Sequence, residues 1–165
     1  MNTDPESLIA EITAAFNGVP REDGTTLHEA EEMDCWGSPE ELLQARQLDT
    51  DTRWQDIPEK WIGDFPSAFR YMDPKGLRYY LPAVMLWHFK HTHWSEPASA
   101  DCVVTLLTNN ELGYLHLPEL LNLLTLPQCR ATARWLYLYL SDYNEPEKHI
   151  EALCASCWGA FLSVH

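Results

Sequence analysis

The sequence predicts an all-α protein: a compact single-domain bundle of about seven or eight short-to-medium helices packed around a central apolar helix. Three observations predict it. Apolar residues recur at three- and four-residue spacing through most of the 165 positions. Tetrads of capping-box type, Thr26-Leu27-His28-Glu29, Ser38-Pro39-Glu40-Glu41 and Thr125-Leu126-Pro127-Gln128, stand at the starts of such segments. No Gly-rich alternation of strand and helix patterns is present.

The first helix is read over 4–17, capped by Thr3 or Asp4 and stopped by Gly18, with Leu8, Ile9, Ile12 and Phe16 on one face. A loop through Pro20 and Gly24 leads to helix 27–35, which ends at Gly37. A third helix runs from Ser38 to about Gln47. Trp54 lies in a polar segment and is expected to fold back onto the core. Pro58 then opens a short helix with Trp61 and Ile62. The stretch from Phe65 to Phe89 is the densest aromatic run, and reads as two helical pieces meeting at Pro82, which either starts a new helix or kinks the one carrying Leu77 to Leu81, because proline removes a backbone donor. Asp73 either begins a turn or caps a helix whose first residue is Pro74.

Residues 91–100 form a loop around Pro97. Cys102–Leu107 is read as helix despite its β-branched residues, since a lone strand has nothing to pair with. Helices over 117–124 and 126–142 follow. In the last helix, Ile150, Leu153, Cys154, Cys157, Trp158 and Phe161 fall on one stripe expected to be buried. Pro82, Leu86, Trp87, Leu136, Leu153 and Trp158 are the expected core.

Net charge is −14, and it is uneven. Residues 1–60 hold 15 Asp and Glu against 4 Lys and Arg, a net −11; the remaining residues carry −3. A field of that sign opposes nucleic-acid binding, which rests on Lys and Arg at phosphates, and steers basic proteins inward. No apolar run is long enough to span a membrane, and the acidic start MNTDPES lacks the features of a signal peptide, so a cytoplasmic location is expected. The five cysteines are then expected to be reduced thiols.

Catalytic signatures are absent: no GxSxG, no phosphate-binding glycine loop and no HExxH. Cys154-Ala-Ser-Cys157 has no second ligand pair and is read as two buried core thiols. His88, His91 and His93 cluster at a helix end, where a positive charge suits the helix dipole better than a metal needs it. Arg70 and Arg78 flank Asp73 and are expected to pair with it. No metal and no cofactor is expected.

Three segments resemble a bacterial family of small acidic proteins of unknown function: Trp54-Gln-Asp56-Ile57, then FRYMDPKGLRYYLPAVM from Phe69 to Met85, then LTLPQCRATARWLYLYL from Leu124 to Leu140. They stand in the family's order, the resemblance covers about residues 8–142, and RYYLPA is its most specific part. It implies no activity and no site residues. The expectation is therefore a non-enzymatic acidic protein-binding module, resembling immunity or antitoxin proteins that neutralise a basic partner. Its expected contact residues are Glu29, Glu32, Glu40 and Glu41 on the two short helices either side of Gly37. The competing expectation is a hydrolase with a carboxylate-lined pocket beside Arg78, Tyr79 and Tyr80.

Overall fold

The computed structural model describes residues 4–91, 98–109 and 113–162, and among these there is no strand. The helices are α1 (Pro5–Ala15), α2 (Leu27–Asp34), α3 (Pro39–Arg46), α4 (Glu59–Asp64), α5 (Pro74–Lys90), α6 (Ala98–Thr108), α7 (Leu117–Leu123), α8 (Leu126–Ser141), α9 (Pro146–Ala155) and α10 (Gly159–Leu162). Short 3-10 turns occupy Trp54–Asp56 and Ala68–Tyr71. Eight of the helices have seven or more residues. The protein is all-α.

The contacts fall into two compact units, one within Met1–Asn17 and Leu124–His165, the other within Gly18–Leu123. In the first, α8 is the central element, packed by α1, α9 and α10. Thr125 and Gln128 cap it reciprocally. The Gln128 amide also donates to the Ala15 carbonyl at 3.1 Å, so one side chain closes α8 at its start and α1 at its end. Leu8, Ile12 and Phe16 are fully buried, and Arg134 pairs with Glu11.

The apolar stripe of the last helix does not run as the spacing predicts. The chain leaves the helix at Ser156, whose ψ of 176° is extended. Its hydroxyl bonds to the Leu153 carbonyl at 2.6 Å and accepts the Trp158 amide at 3.2 Å. That local competition for backbone groups breaks the helix. It lets Trp158 become fully buried with Leu153, while Cys154 and Cys157 turn outward. The expectation of two buried core thiols is thus corrected: both are exposed.

In the second unit, α5 is the most enclosed helix, touched by α4, α6, α7 and the Trp54–Asp56 turn. It is continuous through Pro82 rather than divided there. An interior proline costs about 3 kcal/mol; burial of ten of the 17 residues offsets it. Pro82 and Trp87 are in the core, as are Leu136 and Leu153 in the other unit, whereas Leu86 is half-buried. Trp54 folds inward as expected, and Cys102–Leu107 is helical within α6. The loop around Pro97 lies largely outside the described residues.

Asp73 is the cap of α5, and among the described residues no Arg pairs with it. Its Oδ1 accepts the amides of Gly76 at 2.8 Å and Thr25 at 2.9 Å. Arg78 instead reaches Glu22 at 2.9 Å. The loop before α2 comes so close that a Cβ on Gly24 would sit 2.5 Å from the Gly76 nitrogen, which is why both positions are glycine.

Candidate functional site

The acidic hairpin formed by α2 and α3 is anchored at its start to distant parts of the second unit. A helix start leaves its leading amides without internal partners. In α2 each has a separate acceptor. Leu27 N–H donates to the Tyr80 hydroxyl at 3.1 Å, His28 N–H to Asp49 Oδ2 at 3.0 Å, and Glu29 N–H to Thr26 Oγ1 at 3.3 Å. The Glu29 carboxylate returns to the Thr26 amide, completing the capping box, and binds Arg46 of α3. His28 Nδ1 lies 3.0 Å from Asp49 Oδ1, with its ring edge-on to Trp61 and Phe65.

Behind these contacts lies a buried polar cluster. Asp51 receives Arg21 at 2.9 Å and the Tyr79 hydroxyl at 2.7 Å, and Arg21 also reaches Tyr80 at 3.2 Å. Burial and the neighbouring Asp carboxylates push both tyrosines' ionisation up, so they stay neutral donors and acceptors. Tyr79 and Tyr80 are fully buried in the core and line neither surface cavity described below.

The outer end of α2 departs from the sequence expectation. The Gly37 amide bonds to the Glu32 carbonyl at 2.9 Å and the Trp36 amide to the Met33 carbonyl at 3.2 Å. This is a Schellman ending, whose left-handed residue is usually glycine. Here it is Trp36, at φ 62°, with Gly37 one place further on. Trp36 is also 94% exposed. Its indole N–H has no hydrogen-bond acceptor among the described residues. A Cβ at Gly37 would collide with the Glu32 carboxylate, which places that carboxylate against the turn carrying Trp36.

The four carboxylates expected to contact a partner separate into two kinds. Glu29 is held by the cap and by Arg46. Glu41 closes the cap of α3, accepting the Ser38 amide at 2.8 Å, a bond that holds its carboxyl below the usual range. Glu32 and Glu40 have no cation within ion-pair distance among the described residues, and neither does Glu31. Burial, then the charges of Asp34 and Glu32, push the Glu31 carboxyl up, and the Cys35 thiol is raised by burial and by the same acidic neighbours. On α3, Pro39 and Leu43 lie four residues apart and both are exposed, Leu43 by 62%.

The remaining candidates are dispersed. His88 is buried; His91 stacks on Trp87 and meets Glu59; His93 lies outside the described residues. Among the described residues no three potential ligands gather in a metal-binding cluster. A cavity of about 430 Å³ is lined by Asp23, Asp73, Lys75, Glu119 and Asn122 among others. Lys75 holds the Asp23 carboxyl down, which is opposite to what a general acid needs, and Asp73 is occupied as a cap. A second cavity of about 290 Å³ includes Ser67, Arg70, Asp101 and Cys102. Burial raises the Cys102 thiol despite the nearby Arg70, unlike an activated nucleophile.

Trp36 is the residue that sequence reasoning missed. Gly37 reads as the helix stop, which hides the residue before it; the signal was a tryptophan in a segment otherwise dominated by Asp and Glu. No curated protein and no solved structure matches the chain. The chain belongs to the family of unknown function DUF6714, which it matches over residues 4–160.

Proposed function

We propose that this protein is a non-enzymatic acidic binding module that docks a basic partner protein through the α2–α3 hairpin, in the manner of an immunity or antitoxin-like protein acting in the bacterial cytoplasm. The observation that carries the reading is the set Glu31, Glu32 and Glu40: exposed or half-buried carboxylates without cations, on a hairpin whose other acidic groups are all engaged. Crowded like charge costs stability, and a Lys- and Arg-rich partner relieves it. A hydrolase reading would draw on the 430 Å³ cavity, but the lining carboxylates Asp23 and Asp73 are committed to Lys75 and to a helix cap.

The test is kinetic. A partner captured on the immobilised chain should associate more slowly as salt rises, because steering is screened beyond about 8–10 Å. Changing Glu31, Glu32 and Glu40 together to Lys should slow association at least tenfold while leaving the fold intact. Glu29→Lys is the control: it opposes Arg46 and removes half of a capping box, so it should lower stability. An association rate independent of both salt and the triple change would reduce the acidic surface to a solubility device.

A further inference from the structure

We infer that Trp36 is the anchor of this interface, and that its occupant is a short basic protein segment whose apolar side chains pack on the indole between flanking Lys or Arg. The inference rests on the acidic-hairpin reading above and specifies what the hairpin grips. Trp36 holds a backbone conformation in which side chains other than those of Gly and Asn are unfavourable, yet the exposed side chain gains no compensating packing. Glycine, the usual residue at this left-handed site, would carry none of the steric strain. Strain kept at an exposed aromatic has its physical return in a contact made outside the chain.

The chemistry of that contact follows from the surroundings. Trp is among the residues enriched at binding hot spots, because one rigid ring buries a large area and its N–H can still donate. The Glu32 carboxylate borders the turn, Glu31 and Asp34 crowd the preceding one, and Glu40 follows. A ring inside a negative rim selects cationic groups flanking the apolar side chains it packs against, with guanidinium or ammonium groups also able to lie over the indole face. A second copy of this chain, at net charge −14, would bring the same negative rim against itself. Pro39 and Leu43 extend the exposed apolar surface along α3, with Glu40 one helical turn from Leu43.

The experiment uses the full chain and a displayed library of random twelve-residue peptides. Peptides enriched at low salt should combine two or more Lys or Arg with an apolar pair. Synthetic copies should shift the Trp36 indole N–H resonance, identified by its loss in Trp36→Phe. Trp36→Gly should weaken them at least tenfold while leaving their salt dependence unchanged, and should raise Tm by about 1–3 °C, because the strain is relieved. Trp36→Phe should recover part of the affinity. Enriched peptides that are basic but bind Trp36→Gly within twofold would overturn the anchor and leave the acidic-surface reading standing. Enriched peptides that bind the triple Lys variant equally well, or a selection yielding no basic peptides, would overturn both.

Discussion

Trp36 and Glu31 each sit in an environment that costs folding energy, one through its backbone and one through its charge. A non-glycine residue in the left-handed region costs about 1–2 kcal/mol. Glycine there removes that strain but adds about 0.5–1 kcal/mol of unfolded-state entropy to be lost on folding. Trp36→Gly should therefore stabilise by about 0.5–1 kcal/mol in urea denaturation, whereas Trp36→Ala, which keeps the strain and loses little packing, should stay within about 0.5 kcal/mol of the parent. Glu31 has a pH signature. Its folded carboxyl is raised above the ordinary 4.5, so its ionised form opposes folding at neutral pH, and the penalty vanishes well below 4.5, where the group is protonated folded and unfolded alike. Glu31→Gln should thus raise stability at pH 7, and the gain should shrink as pH falls toward 4. A gain that stays constant down to pH 3 would show that charge is not its cause.

At the level of elements, legibility followed how local each signal was. The caps at Asp4, Thr26, Ser38, Asp73 and Thr125 depend on four or five consecutive residues, and all five form; at Asp4 and Asp73 the structure selects one of the two readings the sequence offers. The choice at Pro82 between a new helix and one running through, and the exposure of Cys154, were not legible because both are set by tertiary burial. The enclosure of α5 overrides a proline's preference, and Trp158 reaches the core only by breaking the helical register of the cysteines. The second partner of Asp73 was equally invisible, since the loop at Thr25 lies 48 residues away. Tyr80 gives the sharpest test of such distant links. Its hydroxyl accepts from Leu27 N–H and from Arg21, so Tyr80→Phe strands buried donors. The expected loss is about 1–3 kcal/mol by chemical denaturation. A change below about 0.5 kcal/mol would mean that water takes the hydroxyl's place.

Across the whole molecule, helical class and charge asymmetry were plain in the sequence, but the division of the carboxylates into engaged and unengaged groups was not. Glu29 and Glu40 look alike in one dimension; only the fold brings Arg46 to one and no cation to the other. The same holds for the thiols. Cys35, Cys154 and Cys157 are exposed, while Cys102 and Cys129 are buried. A charged disulfide reagent should modify three thiols in the native protein, and five after denaturation. Modification of Cys35 should quicken with salt, since its acidic neighbours repel an anionic reagent and hold its thiol protonated. Modification of a single thiol, or of all five at one rate, would contradict the burial pattern.

The three leading amides of α2 are closed by Tyr80, Asp49 and Thr26, and only the last belongs to the hairpin's own beginning. Tyr80 stands 53 residues downstream, on a helix that the hairpin does not contain. A decoy peptide cut from residues 26–48 would leave those acceptors behind. At this length an isolated helical pair is marginal in water, and the excised piece would hold neither the turn nor the direction in which Trp36 points. Mimicry of this surface, whether by a competing protein or by a designed inhibitor, must therefore reproduce a scaffold as well as an epitope.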